Sequence, residues 1–405
     1  MQVYLNDMLY ALSYALDCVE AEFLGAKSYH SARVAYICVR LGVMYGLQPI
    51  DLLRLAAAAV LHDSALTEYV GIRKEELGGV RPELRNAAPK SLRAHCKMGE
   101  HNAAILPFYE YIRGAVLYHH EHADGSGAFG RRAENTPLMA QLIHLADQLD
   151  NHFPLDFVDA EKYAQIQQYL DRYAGRLFCP QLVEHFFDVF PEPMGDALEG
   201  EKAGSLLREA LPWVTLDYDP ERIKAIAAIF AKIIDYKSHF TCMHSRGIAE
   251  KSGQIGRFLG YGTEQCTKLY LAGALHDIGK LAIPADILEK PDKLTAEEFD
   301  LMKTHADISW KILRQMKGLE DVAEWGAFHH EKLNGSGYPF GYTAERLSRE
   351  DRLLACVDIY QALTEARPYK EGFSHAKSMK IMRDMVAQGL LDAALTETVD
   401  ACFGI

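Results

Sequence analysis

The sequence predicts an all-α protein made of two tandem helical bundles, and three observations support this prediction. Several segments are rich in Ala and Leu or have apolar residues three and four positions apart, as amphipathic helices do. No stretch alternates between apolar and polar residues strongly enough to predict the core of a sheet. Histidine-containing motifs of the first half recur in the same order in the second half of the 405-residue chain, which indicates an internal duplication.

The repeated motifs consist of histidines and aspartates at nearly constant separations. "LHDSAL" and "LHDIGK" lie 214 residues apart, and "HHEHADGSG" and "HHEKLNGSG" lie 210 residues apart. Ten of the 17 histidines belong to this pattern, so chance is a poor explanation for it. The matched pairs are His30 and His244, His62 and His276, Asp63 and Asp277, His95 and His305, His119 and His329, His120 and His330, and Asp147 and Asp358.

The start signals of the individual helices predict them in chain order. "PIDLLRLAAAAVLHD" has Pro near its start and ends on a histidine-aspartate pair. "DPERIKAIAAIFAKIID" begins with an acidic residue and a Pro, and "TEQCTKLYLAGALHDIGK" starts with a Thr of the capping type. "TAEEFDLMKTHADISWKILRQM" starts with Thr-x-x-Glu, as in a capping box, and "SREDRLLACVDIYQALTE" is a further amphipathic segment.

The stretch "EPMGDALEGEKAGS" between the two halves is rich in Gly, Glu and Pro and predicts a linker or an inserted loop. We therefore expect a first domain at residues 1–192, a linker at residues 193–214 and a second domain at residues 215–405.

Composition limits the partners and the location of the protein. With 49% hydrophobic and 24% charged residues it is typical of soluble globular proteins. A net charge of −13 argues against long nucleic acids, whose binding needs clustered Lys and Arg, but it is compatible with a small anionic substrate. The sequence has no apolar run of about 20 residues, so no membrane span is predicted. The absence of a signal-peptide pattern and of any C-x-x-C pair among eight cysteines predicts a cytoplasmic protein.

The second half contains enough candidate ligands for two metal ions. Five histidines and two aspartates exceed the needs of one tetrahedral ion but fit two octahedral ions that share a carboxylate. Nitrogen and oxygen ligands suit Fe, Mn, Co or Ni, and also Zn. Such an ion pair supplies a hydroxide for attack on phosphorus, and Lys280, one turn beyond His276, is expected to contact phosphate oxygens. The candidate ligands are His244, His276, Asp277, His305, His329, His330 and Asp358.

The order of these residues resembles that of the HD metal-dependent phosphohydrolases. "HDIGK", "HHEKLNGSGYP" and "DIYQALTEARPYK" are similar to the HD-GYP branch, the cyclic-dinucleotide phosphodiesterases. The resemblance implies two tandem HD-type bundles and hydrolysis of cyclic di-GMP or 3',3'-cyclic GMP-AMP, by a metal-bridging hydroxide, to a linear dinucleotide or mononucleotides. It further implies that Asp277 and Lys280 are catalytic and that Lys280, Arg367 and Lys370 contact the substrate phosphates.

The same resemblance implies iron or manganese as the metal. Some members hold a third ion with a glutamate one turn before the first histidine, and Phe240 stands at that position here, so we expect two ions. Tyr338 either contacts the substrate or shapes the turn after the ligand pair. We expect Gly335 and Gly337 to supply backbone freedom and Glu331 to orient a ligand histidine.

Two other functions stay open from the sequence. One is a different HD phosphohydrolase that acts on other nucleotides, and the other is a non-catalytic cyclic-dinucleotide receptor or scaffold. The expected partner is the small cyclic dinucleotide, and a signalling protein is a further candidate. The sequence defines neither the base preference nor the oligomeric state.

The first half keeps a complete ligand set but lacks the bases around it. Leu66 stands where the second half has Lys280, and Asp156 and Asp159 stand in place of Arg367 and Lys370. Carboxylates repel a phosphodiester, so we expect this site to bind metal without turnover. A sensor of metal, oxygen or another ligand, or a structural metal, are the alternatives, and the nearby Cys96 is assigned to burial. The candidate ligands are His30, His62, Asp63, His95, His119, His120 and Asp147.

Overall fold

The computed structural model divides the chain into two compact units. One unit comprises Tyr4–Leu216, and the other comprises Asp217–Ile405 together with Met1–Val3. Helices dominate both units, so the predicted all-α class is confirmed. Every helix among the described residues is too short or too polar to cross a lipid bilayer. The structure describes residues 2–24, 29–65, 68–69, 89–217, 219–237, 244–290, 292–366 and 371–404.

The first unit consists of α-helices and a short 3-10 helix at Ala133–Asn135. Two three-residue strands, β1 (Gln2–Tyr4) and β2 (Thr215–Asp217), contain residues of both units. The helices are α1 (Leu5–Leu24), α2 (His30–Met44), α3 (Pro49–Leu61), α4 (Pro89–Ala103), α5 (Tyr109–Ile112), α6 (Leu138–His152), α7 (Ala160–Tyr173), α8 (Pro180–Val189) and α9 (Glu201–Ala210).

The second unit is also mainly helical. It has a 3-10 helix at Ile278–Ala282, directly after Asp277. Its helices are α10 (Pro220–Tyr236), α11 (His244–Phe258), α12 (Thr263–Leu275), α13 (Ala285–Leu288), α14 (Ala296–Leu313), α15 (Glu320–Ala327), α16 (Arg349–Thr364), α17 (His375–Ala387) and α18 (Ala393–Phe403).

Small and branched apolar side chains allow the central helices of each unit to pack closely. In the first unit α2 packs against α3, α6 and α9, and the alanines of "AAAA" in α3 are fully buried. In the second unit α12 packs against α10, α11 and α15. Leu271 and Leu275 of α12 are fully buried as well. In both units the buried helix therefore ends at the predicted ligand site.

The helix start signals are mostly confirmed. Thr295 and Glu298 form the expected capping box at the start of α14. Pro49 is the first residue of α3, as its sequence predicts. The expected cap at Thr263 is wrong, because Thr263 is the first helical residue of α12 and Gly262 is the N-cap.

The segment at residues 193–214 differs from the linker expected there. It contains α9, which packs against α2 inside the first unit. Ala203, Leu207 and Leu211 are buried, so their apolar surface holds the segment on the bundle in spite of the glycines around it.

Candidate metal centre

Four helices and one loop bring the predicted ligands of the second unit to one place. A ligand lies at the first residue of α11, one at the C-cap of α12, one inside α14 and one inside α16. Asp277 follows the C-cap residue, and the histidine pair follows α15. All seven side chains are buried except that of His330, which is half-buried.

The ligand atoms form two clusters that Asp277 connects. Its Oδ2 lies 3.0 Å from Nε2 of His276, and its Oδ1 lies 3.4 Å from Nε2 of His305. The carboxylate therefore has one oxygen toward each cluster, as a bridging ligand requires. The two clusters, each with ligand atoms within 4.8 Å of one another, are His244, His276 and Asp358, and His305, His329 and His330.

Three histidines are held in the tautomer that can bind metal through Nε2. Nδ1–H of His276, His305 and His329 donates to the carbonyl oxygen three residues earlier in the chain, at 2.8, 2.6 and 2.6 Å respectively. The Nε2 atom, which then has its lone pair free, points toward the centre of the cluster. Carbonyl partners of this kind fix both the ring orientation and the tautomer of a metal ligand.

Several buried polar atoms at this centre have no hydrogen-bond partner among the described residues. They are Nε2 of His276, His305 and His329, and Oδ1 of Asp277. Burial of unpaired polar atoms is costly, and four of them converge here. Because all four are electron-pair donors, cations at these positions fit the chemistry of the cluster.

The protonation states also suit metal binding. Burial lowers the pKa of His305 to about 4 and that of His329 to about 3, so both rings are neutral at pH 7. Burial opposes ionisation of Asp277, but the neighbouring His276 and Lys280 keep the pKa of this carboxyl well below its usual range. Metal ligands must be in these deprotonated forms.

His244 is the exception. Burial disfavours its protonated form, but hydrogen bonds with Asp358 and Glu365 raise its pKa to about 9. Its Nδ1 lies 2.8 Å from the Glu365 carboxylate, and its Nε2 lies 3.3 Å from Asp358. A metal ion bound by Nε2 of His244 would therefore have to displace a proton from that ring.

Two of the predicted substrate contacts lie at the rim of the cluster. Nζ of Lys280 lies 2.6 Å from Oδ2 of Asp277, and the ring of Tyr338 lies 4.7 Å from the ring of His330. Arg367 and Lys370 lie outside the described residues, as does Phe240.

Glu331 organises the loop after the histidine pair and does not orient a histidine as expected. Its carboxylate accepts hydrogen bonds from the backbone N–H of Phe340, Gly341 and Tyr342, at 2.7, 3.1 and 3.0 Å. In the first unit Glu121 binds two loop N–H groups in the same way. The repeated glutamate therefore closes the loop that carries the Gly-Ser-Gly turn.

The two glycines of "GSGYP" serve different purposes. Gly335 has φ of 78°, which confirms the expected need for backbone freedom. Gly337 is required for close approach instead, since a Cβ atom there would lie 2.4 Å from the backbone nitrogen of Lys332. Gly127 meets the same restriction in the first unit, with a backbone nitrogen at 2.5 Å.

The first unit repeats the ligand geometry. His30 begins α2, His62 is the C-cap of α3, and Asp147 lies in α6. Oδ1 of Asp63 lies 3.4 Å from Nε2 of His95 and 3.5 Å from Nε2 of His119, while its Oδ2 faces Nε2 of His62 at 3.6 Å. The two ligand clusters are His30, His62 and Asp147, and His95, Cys96, His119 and His120.

The first unit has other residues in place of the basic residues of the second unit, and the structure describes only some of them. Leu66 lies outside them. Asp159, matched in sequence to Lys370, is the N-cap of α7, where its side chain accepts from the backbone N–H of Lys162 at 2.8 Å. Its carboxylate therefore has a structural use.

Sequence reasoning missed how the first histidine of each unit is held. Nδ1 of His30 donates to Asp150 at 2.7 Å, and the buried Arg33 binds both oxygens of that carboxylate at 2.7 and 2.8 Å. In the second unit Gly247 and Gln361 stand at the matching positions, so neither charge is present there. The register of the repeat contained this signal, because the separations of 214 and 211 residues align the two pairs.

Sequence comparisons agree with this architecture. Models of the HD domain match residues 228–395 and residues 28–152. The chain is 30% identical over 406 residues to the 3'3'-cGAMP-specific phosphodiesterase 1 of Vibrio cholerae, which covers 98% of this chain and 91% of that protein. It is 30% identical over 302 residues to phosphodiesterase 3 of that specificity and organism, over 73% of this chain and 64% of that protein. A cyclic di-GMP phosphodiesterase of Pseudomonas aeruginosa is 38% identical over 148 residues, which are 36% of this chain and 35% of that protein.

A solved structure shares the fold along the whole chain. It is described as a cyclic GMP-AMP specific phosphodiesterase of V. cholerae, with a TM-score of 0.68 and 23% identity. The alignment covers 100% of this chain and 99% of that one. The full-length relative, the two HD domain matches and the motifs of the second unit agree with one another. The chain therefore belongs to the HD-GYP family of cyclic-dinucleotide phosphodiesterases, with an HD domain in each half.

Proposed function

We propose that the second unit hydrolyses a phosphodiester bond of a cyclic dinucleotide, cyclic di-GMP or 3',3'-cyclic GMP-AMP, to a linear dinucleotide or mononucleotides. The observation that carries the proposal is the Asp277 carboxylate, with one oxygen toward each of two clusters of nitrogen and oxygen ligand atoms. Two divalent ions held there would lower the pKa of a water to about 7 and stabilise charge on phosphorus.

The ligands would divide between two ions, and Asp277 would be shared by both. Because the set contains only nitrogen and oxygen donors, iron or manganese is the expected metal, and Co, Ni and Zn are alternatives. The expected ligands of the first ion are His244, His276 and Asp358, and those of the second ion are His305, His329 and His330.

Positive charge next to the metal ligands would bind the substrate phosphates. Lys280 lies at the edge of the cluster, where its ammonium group pairs with Asp277 until an anionic ligand arrives. We expect Arg367 and Lys370 to contact the other phosphate oxygens and Tyr338 to contact the substrate from the His330 side. Positioning by such groups is the main contribution that a protein makes to phosphoryl transfer.

The relatives favour 3',3'-cyclic GMP-AMP as the first substrate to test. The relative that covers 98% of the chain is named for that compound, whereas the cyclic di-GMP enzyme of P. aeruginosa matches only 36% of it. The first unit is part of the longer match. We expect it to bind metal without turnover, because no Lys or Arg occurs between residues 148 and 161.

A product time course on both cyclic dinucleotides tests the proposal, with Mn²⁺ or Fe²⁺ added and the metal content of the same sample measured. The double variant His276→Ala/Asp277→Ala should abolish turnover, because it removes the shared carboxylate and one ligand of the first ion. The matched double variant His62→Ala/Asp63→Ala should keep most activity. Equal losses in the two variants would contradict this assignment.

The same assay separates the alternatives. Binding of either compound without turnover by the unmodified protein would indicate a receptor, and turnover of other nucleotides alone would indicate a different HD phosphohydrolase. The cytoplasmic location stays a prediction. The free thiols, as a reducing compartment favours, include Cys38, Cys96, Cys179, Cys266, Cys356 and Cys402.

A further inference from the structure

Cys96 lies inside the second ligand cluster of the first unit, although the sequence suggested burial alone. Its Sγ is 3.6 Å from Nε2 of His95 and 3.9 Å from Nδ1 of His119. The side chain is fully buried, so the thiol is directed at the histidines and not at solvent. A potential soft ligand is therefore present beside the nitrogen ligands.

The distances from Nε2 of His95 to its neighbours match the edges of a metal coordination tetrahedron. Nε2 of His95 lies 3.4 Å from Nε2 of His119 and from Oδ1 of Asp63, and 3.6 Å from Sγ of Cys96. Bonds of about 2.0–2.1 Å to nitrogen and about 2.3 Å to sulfur place tetrahedral ligand atoms roughly 3.3–3.6 Å apart. Nε2 of His95 thus has three further ligand atoms at distances that a shared ion allows.

The cluster also has a carboxylate oxygen without a hydrogen-bond partner among the described residues. This oxygen is Oδ1 of Asp63, and it is buried. His119 donates Nδ1–H to the carbonyl of Val116, so its Nε2 lone pair is available to the ion. These two observations indicate a cation independently of the cysteine.

The second unit has no counterpart of the thiol. Ala306 follows His305 where Cys96 follows His95, and the two copies otherwise carry the same ligands. Thiolate is a soft ligand that selects zinc more strongly than imidazole and carboxylate alone do. The duplicated sites therefore differ by one potential soft ligand.

We infer that the first unit contains a zinc site in which Cys96 is a direct ligand. His95 and His119 supply nitrogen, and the Asp63 carboxylate or His120 completes the coordination. Binding releases the thiol proton and forms the metal–sulfur bond, with no redox change. The inference concerns the first unit only and is independent of the proposed function of the second.

Cobalt substitution tests the inference directly. The full chain with His276→Ala/Asp277→Ala, which disables the other site, is stripped with a chelator and titrated with Co²⁺ or Zn²⁺. We expect a near-ultraviolet sulfur-to-cobalt charge-transfer band at one equivalent. The band should disappear in Cys96→Ala, and zinc affinity should fall about 100-fold or more, since even residues behind the ligands contribute about 10- to 100-fold.

Two controls keep the test interpretable. Cys179→Ser removes a half-buried cysteine outside both clusters and should leave the band and the affinity unchanged. Cys96→Ala carries the residue that occupies the same position in the second unit, so its metal-free form should keep the wild-type circular dichroism spectrum. A cobalt complex without the band in unmodified Cys96 protein, or a band that persists in Cys96→Ala, would overturn the inference.

Discussion

Glu365 shows how one side chain sets the charge of a ligand histidine. It accepts the Nδ1–H of His244 at 2.8 Å from a position 121 residues away in the chain. In the first unit Asp150 has this task, with Arg33 bound to the same carboxylate. Because an anionic partner makes imidazole a stronger ligand, Glu365 is a positioning residue for the proposed first ion.

We predict that Glu365→Gln weakens metal binding at His244. Gln keeps the shape and one acceptor oxygen but removes the negative charge that helps to raise the pKa of His244 to about 9. Metal affinity or kcat/KM should fall about 10- to 100-fold, and the pKa of His244, followed by NMR in the metal-free protein, should move down.

Glu345→Gln is a matched control, because Glu345 is exposed on the same unit. It should change neither property. An unaltered pKa of His244 in Glu365→Gln would argue against the positioning role.

At the scale of the elements, the 3-10 helix Ile278–Ala282 contacts α14 closely at Gly279. A Cβ atom at Gly279 would lie 2.0 Å from the carbonyl oxygen of His305 and 2.8 Å from the backbone nitrogen of Ser309. The N–H of Gly279 donates to the Ser309 hydroxyl, which in turn donates to the carbonyl of His276. This contact therefore sets the distance between Asp277 and His305.

We predict that Gly279→Ala destabilises the second unit by about 1–3 kcal/mol, because the methyl group must push backbone atoms of α14 apart. Urea denaturation of the metal-free protein measures this effect. The shift of His305 away from Asp277 should also lower the metal content of the purified protein.

Gly253→Ala is the matched control at a helical glycine of α11. Its nearest neighbours lie 3.7 Å from the added Cβ, which is ordinary contact distance. The change should be neutral or stabilising by up to about 1 kcal/mol, as for Gly to Ala in a helix interior. Comparable destabilisation in both variants would show that close packing at Gly279 is not the cause.

For the whole molecule, two buried histidine clusters make the metal-free protein sensitive to pH. Burial lowers the pKa of His305 and His144 to about 4 and that of His329 to about 3. In the unfolded chain the same groups titrate near their ordinary value of 6.5. Raised values of about 9 at His62 and His244 have the opposite sign, since their contribution is present below 6.5 and lost toward 9.

We predict that the free energy of unfolding of the metal-free protein falls as the pH is lowered from about 7 to about 5. Over this interval the unfolded chain takes up protons at the histidines with lowered pKa values, while the folded protein does not, so acid favours unfolding. Denaturant titrations at constant ionic strength, in the presence of a chelator, measure the trend. Equal or greater stability at about pH 5 would contradict it.

The sequence by itself determined the class of the fold and the chemistry of the sites. Helical periodicity and capping residues are local, so α14 and its capping box follow from adjacent letters. The ligand types are equally explicit, because the repeat marks the same histidines and aspartates twice. The assignment of residues 193–214 to a linker failed because local glycine content does not report that apolar residues such as Leu207 pack onto a distant helix.

The tertiary structure alone decided which side chains act on the ligands. Glu331 closes a loop, Glu365 holds His244, and Cys96 faces His119. Their partners come from other helices or from the far side of a turn, and residue type carries no information about which distant group is nearest. Burial then decides the charge states, because desolvation and nearby carboxylates compete at distances that only the folded chain defines.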